Sequence, residues 1–133
     1  MDFSPYADLP SVTGTICLVD DDPSMLKALD RLLASVGLEA QLFREPLGFL
    51  SYASCHSVAL AVLDIWMPGV SGLATQEKLQ TVSPNTRVII ITANDDCSVR
   101  NAAIQGGAIA FFVKPFDDET FLAAVHRALA LET

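Results

Sequence analysis

A doubly wound α/β fold, made of five strand–helix units around one parallel sheet, is what this chain predicts. Three observations point to it. Short apolar runs alternate with amphipathic stretches from Thr15 to Leu129. Two of the runs, Val58–Leu63 and Val88–Ile91, are apolar without interruption, the pattern of strands covered on both faces. The 133 residues amount to about one domain, and 51% of them are apolar, enough to build a core without staples.

Each element has its own signal. Thr15–Val19 reads as the first strand. Asp22 then serves as an N-cap and Pro23 as a preorganised first helical residue. Leu26, Leu29, Leu33 and Val36 form one apolar stripe, which Gly37 ends. Leu38–Phe43 is a weaker, alternating strand, followed by a short helix over Pro46–Tyr52. Val58–Leu63 is the third strand. Ser71 caps a helix through Leu79, which must end before Pro84. Val88–Ile91, β-branched throughout, is the fourth strand. Asp95 or Asp96 begins a helix that stops at Gly106 and Gly107. Ile109–Val113 is the fifth strand. Asp117 caps the last helix, with Phe116 and Phe121 placed as a hydrophobic staple and Phe121, Leu122, Val125 and Leu129 as its buried face.

Composition excludes several function classes. Sixteen acidic against eight basic residues leave a formal charge of −8, a field that repels a phosphate backbone, so no nucleic acid is expected to bind this chain directly. No apolar run is long enough to span a membrane, and Met1–Ser11 has neither the basic nor the apolar part of a signal peptide. The three cysteines, Cys17, Cys55 and Cys97, form no zinc or disulfide pattern, and a reducing cytoplasm fits them.

In a doubly wound sheet the active crevice lies at the carboxyl ends of the strands. There the chain places Asp20, Asp21 and Asp22 after the first strand, Asp64 after the third, Thr92 and Ala93 after the fourth, and Lys114 after the fifth. Several carboxylates in one crevice repel, and a hard dication such as Mg²⁺ removes the conflict. The competing reading makes these acids helix caps and solvated turn residues, and it is preferred for Asp22, which directly precedes Pro23. Lys114 would neutralise an arriving phosphoryl group, or form a structural ion pair with Asp20, Asp21 or Asp64. Thr92 offers a hydroxyl donor, against plain β-propensity; Ala93 offers an open approach and an N–H, against a plain tight turn. His56, before the third strand, and His126, on the last helix, are poor phosphoacceptor candidates.

Five motifs carry a family resemblance: Val19-Asp20-Asp21-Asp22, Leu63-Asp64-Ile65-Trp66-Met67-Pro68-Gly69, Ser71-Gly72-Leu73, Ile91-Thr92-Ala93 and Phe112-Val113-Lys114-Pro115-Phe116. In this order and spacing they resemble the receiver domains of bacterial two-component response regulators, in wording closest to the nitrogen-fixation and nodulation type with a LuxR-like output domain. The resemblance covers about residues 14–130 and divides the chain into an N-terminal extension, 1–13, and a receiver domain, 14–133. It implies a flavodoxin-like three-layer sandwich with sheet order 2-1-3-4-5. It implies transfer of a phosphoryl group from a sensor histidine kinase to Asp64, with Mg²⁺ held directly by Asp21, Asp64 and the Trp66 carbonyl and by Asp20 directly or through water. Lys114 and Thr92 would hold the phosphoryl group, Ala93 would lie against it, and Lys114–Pro115 would be cis. The fourth helix, fifth strand and fifth helix would form the face that responds and supports a phosphorylation-dependent homodimer. A DNA-binding output domain would lie outside this sequence.

Two residues depart from the family pattern. Phe111 stands where a switch aromatic is usually Tyr, and it can be switch or plain core. Trp66 stands two residues after Asp64, where many relatives carry a small polar residue, and it can shade the site or rest on the surface. Two other functions compete. A Mg²⁺-dependent phosphohydrolase with an Asp nucleophile needs a second acid where Trp66 stands, so turnover is not expected beyond self-phosphorylation and slow autodephosphorylation. A pseudo-receiver that never takes phosphate would not need the full residue set.

Overall fold

The computed structural model describes residues 14–66 and 71–130. Expectations for residues 1–13 and for Met67, Pro68, Gly69 and Val70 lie outside the described residues. Five strands and five helices alternate: β1 (Ile16–Val19), α1 (Pro23–Ala34), β2 (Ala40–Phe43), α2 (Pro46–Cys55), β3 (Leu60–Asp64), α3 (Gly72–Val82), β4 (Arg87–Thr92), α4 (Cys97–Gln105), β5 (Ala110–Val113) and α5 (Asp118–Ala130). All neighbouring strands are parallel, in the order β2-β1-β3-β4-β5. The sheet reverses direction of winding beside β1, which puts the carboxyl ends of β1 and β3 next to each other, Val19 opposite Leu63.

Strand alternation sends side chains to two separate cores. Ile16, Leu18, Leu60, Val62, Ile89 and Ile91 face α1 and α5. Cys17, Val19, Ala61, Leu63, Val88 and Ile90 face α2, α3 and α4. The α5 side carries an aromatic cluster in which Phe121 meets Phe112 at 5.7 Å and Phe116 at 5.2 Å between ring centroids. The Phe116–Phe121 contact is the expected staple. Burial pushes the Cys17 thiol up to about 12, so it packs as an inert apolar group. Cys55 and Cys97 are exposed and unpaired.

The caps follow the local chemistry. Asp22 Oδ1 accepts the Ser24 N–H at 2.9 Å, and Asp117 Oδ2 accepts the Thr120 N–H at 2.9 Å. The N–H and the hydroxyl of Thr120, both donating to Asp117, hold its carboxyl below its ordinary range. Of the two candidate caps for α4, Asp96 is the one used: its Oδ1 accepts the N–H groups of Ser98 and Val99. Asp95 instead pairs with Arg100 at 3.0 Å.

Some boundaries differ from expectation. The α2 helix continues to Cys55, past Tyr52, because residues 53–55 keep helical spacing and Ala53 packs into the core. On α5 the fully buried positions are Phe121, Ala124, Val125, Ala128 and Leu129, while Leu122 is only half-buried. Leu122 still packs against the same core cluster, at the margin of the buried stripe. Among the described residues no helix is long and apolar enough to cross a membrane.

Candidate functional site

The carboxyl edge of the sheet gathers the polar strand ends. One carboxylate oxygen from each of Asp20, Asp21 and Asp64 lies within 4.8 Å of the others. Asp20 and Asp64 are buried, Asp21 is half-buried. Asp20 spends both oxygens: Oδ1 accepts the Asp22 N–H at 2.9 Å, and Oδ2 accepts Lys114 Nζ at 3.1 Å. The same ammonium stands 3.7 Å from Asp64 Oδ1. Lys114 reaches the crevice because β5 ends one residue before it and its N–H donates to the Thr92 carbonyl at 2.7 Å, holding the end of β5 to the end of β4. The Lys114–Pro115 bond is cis, as the resemblance implies. Thr92 is fully buried, and its Oγ1 accepts the Asn94 N–H at 3.2 Å. Ala93 is exposed beside it.

The electrostatics centre on Asp64, whose carboxyl is pushed up to about 6. Burial is the largest cause, and the Asp20 charge adds to it; Lys114 opposes, Asp21 raises again, and the Ile65 N–H lowers. One lysine therefore does not balance three acids. A crevice with surplus negative charge, all-oxygen donors and a carboxylate held above its ordinary range has the donor chemistry a hard dication such as Mg²⁺ requires. The acids thus divide: Asp22 is the cap, and Asp20, Asp21 and Asp64 are the cluster.

Trp66 follows the site on the β3–α3 loop, with 53% of its surface exposed. Phe111 is half-buried on the α4 side of β5, and the Arg100 guanidinium lies over its ring at 5.2 Å. His56, just past the end of α2, and His126, on α5, are exposed, and their Nδ1 atoms lie against the carbonyls of Tyr52 and Leu122. Neither belongs to the crevice.

Gly72 is a positioning residue that the residue pattern alone does not rank. Its N–H donates to the Ile65 carbonyl at 2.8 Å, and a Cβ at this position would collide with the Asp64 carbonyl oxygen. The first residue of α3 therefore has to be glycine for the helix to sit against the Asp64–Ile65 backbone. The only local trace of this is a glycine just inside a helix start, a position that usually has no need of one.

A doubly wound sheet with an acid cluster and a lysine at its switch point defines a narrow class of α/β domain. The chain belongs to the response regulator receiver domain family, which matches residues 16–126. It is 38% identical over 118 residues to response regulator protein TmoT of Ectopseudomonas mendocina, covering 89% of this chain and 54% of that one. It is 36% identical to nodulation protein W of Bradyrhizobium diazoefficiens over 118 residues, 89% and 52% of the two chains. Among solved structures, the BeF3-activated DrrB receiver domain superposes with a TM-score of 0.80 at 30% identity, covering 89% of this chain and 98% of that one. The chain spans about half the length of the curated relatives it matches.

Proposed function

We propose that this chain is a phosphorylation-activated signalling switch in which Asp64 accepts a phosphoryl group from the phosphohistidine of a sensor histidine kinase. The reading rests above all on one observation: Asp20, Asp21 and Asp64 converge within 4.8 Å, and Lys114 bridges Asp20 and Asp64. An Asp64 carboxylate oxygen attacks phosphorus in line, the P–N bond breaks, and the electron pair returns to the imidazole nitrogen. Asp20, Asp21 and Asp64, with the Trp66 carbonyl, would hold Mg²⁺. Bound there, the ion supplies positive charge against the phosphoryl oxygens. The Lys114 ammonium shifts from Asp20 and Asp64 to the phosphoryl group; its present partners compete for it, which makes its position responsive to phosphorylation. The Thr92 hydroxyl turns to donate to a phosphoryl oxygen, and the Ala93 N–H lies open to the same group.

The response runs along β4 and β5 to the α4–β5–α5 face, which forms a homodimer in the phosphorylated state. Residues 14–133 are the receiver unit, residues 1–13 an extension, and the output is a DNA-binding domain outside this sequence, in keeping with the half-length match to its relatives. The chain works as a switch and turns over no substrate beyond loss of its own phosphoryl group. The test is mass spectrometry after incubation with acetyl phosphate and Mg²⁺. One phosphoryl group of acyl-phosphate lability is expected on the chain and none on Asp64→Asn. Equal labelling of that variant would sink the assignment.

A further inference from the structure

Helices α1 and α4 end in the same backbone motif but are held differently. At α1 the N–H groups of Gly37 and Leu38 reach the carbonyls of Ala34 and Leu33; at α4 those of Gly107 and Ala108 reach Ile104 and Ala103. Gly37 and Gly107, with φ of 80° and 101°, make the left-handed turn that such a Schellman ending needs. At α4 a second helix adds to it. Gln76 and Gln80 stand one turn apart on α3 and therefore on one face. The buried Gln76 donates through Nε2 to the Ala103 carbonyl at 2.9 Å, and Gln80 donates through Nε2 to the Gly106 carbonyl. Ala103 O accepts two hydrogen bonds, and the last carbonyls of α4 are satisfied by side chains from α3.

Gly106 makes room for this contact. Its φ is an ordinary −75°, so the backbone does not ask for glycine. A Cβ at this position would stand 3.0 Å from the Cδ, Nε2 and Oε1 atoms of Gln76. Apolar packing of α4 is concentrated at the same end. Ala103, in the last turn, is its one buried residue, whereas α5 has five. Its first turns are held by the half-buried Val99, the Asp96 cap and the exposed Arg100–Asp95 pair.

We infer that Gln76 and Gln80 clamp the carboxyl end of α4 to α3, so that α4 pivots about this end and its amino end, next to Thr92, is the end that moves. The inference extends the proposed switch by locating the pivot. Its test uses the resting protein without phosphate, so it fails or stands independently of Asp64 labelling.

The experiment is native-state amide exchange, resolved by residue. In the wild type, the amides of Gln105, Gly106 and Gly107 should exchange more slowly than those of Arg100 and Asn101. Gly106→Ala gives opposite predictions for two accounts. Helix propensity alone would slow exchange at the end of α4. Displacement of Gln76 should instead speed it, by about fivefold for one lost hydrogen bond, with α5 unchanged. In a Gln76→Ala background the same glycine substitution should slow exchange, because the collision is gone. Gln80→Ala, at an exposed position, should speed exchange at the end of α4 on its own, so the test survives if Gln76→Ala does not fold. Slower or unchanged exchange in Gly106→Ala, or a wild-type α4 whose carboxyl end exchanges as fast as its amino end, would overturn the clamp.

Discussion

The two faces of the sheet are held by different kinds of force. On the α1/α5 face the helices pack through aliphatic side chains, alanines and a three-ring phenylalanine cluster, and all the buried residues of α1 and α5 are apolar. On the α2/α3/α4 face the helices bury Thr75 and Gln76 as well, and the α3–α4 junction depends on amide-to-carbonyl bonds. Close apolar packing resists any shift, because each displacement opens a void. A directional hydrogen bond instead holds only the end it reaches, here the carboxyl end of α4, whose other turns carry no buried residue. The molecule therefore has a densely packed apolar layer on one face of the sheet and, on the other, a helix held mainly at one end. Lys114 and Thr92 stand at the ends of the two strands, β5 and β4, nearest to α4.

The largest expected contrast is in stability. Phe121→Ala should cost about 3–5 kcal/mol in urea unfolding, while Ile104→Ala on α4, whose side chain is 54% exposed, should cost under about 0.5 kcal/mol. Similar losses for the two would erase the distinction between the faces.

Next in size is a pH effect at the crevice between them. The Asp64 carboxyl rises from 3.8 to about 6 on folding, so the folded chain holds this proton more tightly than the unfolded one. Its contribution to stability is complete below about pH 4 and is lost as pH rises through about 6. Without Mg²⁺, Asp64→Asn should match the wild type near pH 4 and exceed it by on the order of 2 kcal/mol at pH 7. Mg²⁺ should narrow that gap by stabilising the wild type. A gap that does not change with pH would show that the crevice is not strained by its charges.

A smaller effect concerns the lifetime of the phosphorylated state. Trp66 has no group that can take a proton from an attacking water, and it stands two residues beyond Asp64. The phosphorylated chain should persist for minutes to hours, and Trp66→Asn should shorten that by roughly tenfold, about 1.4 kcal/mol of barrier. Decay in excess Mg²⁺ after donor removal measures it; equal rates would make Trp66 a surface aromatic only.

The smallest effect separates the two contacts of Arg100. Its ion pair with Asp95 is exposed on both sides, so Asp95→Ala should change stability by under about 0.5 kcal/mol. Arg100→Ala also removes the guanidinium from the Phe111 ring and should cost up to about 1 kcal/mol more. Equal losses in the two variants would mean that the ring contact adds nothing.

Sequence alone determined whatever depends on near neighbours. Apolar runs ending in Asp20, Asp64, Thr92 and Lys114 mark strand ends, and Asp22, Ser71 and Asp117 mark helix starts, because alternation and capping act within a few residues. With five ordered motifs these were enough for the fold class and, by resemblance, the sheet order, and they named the three acids and the lysine that the fold brings together. Tertiary structure decided what depends on distant partners. Lys114 is 94 positions from Asp20, and whether its ammonium meets Asp20, Asp21 or Asp64 is settled by where the strands end in space. Gly72 matters because it lies against the Asp64–Ile65 backbone, and Gln76 because Ala103, 27 positions on, ends a helix beside it. Leu122 was expected on the buried face of the last helix, and the packed layers leave it half-buried at the edge of that face while Ala124 and Ala128 are buried. Local patterns fix which side chains share a face; only the packed layers decide what that face meets.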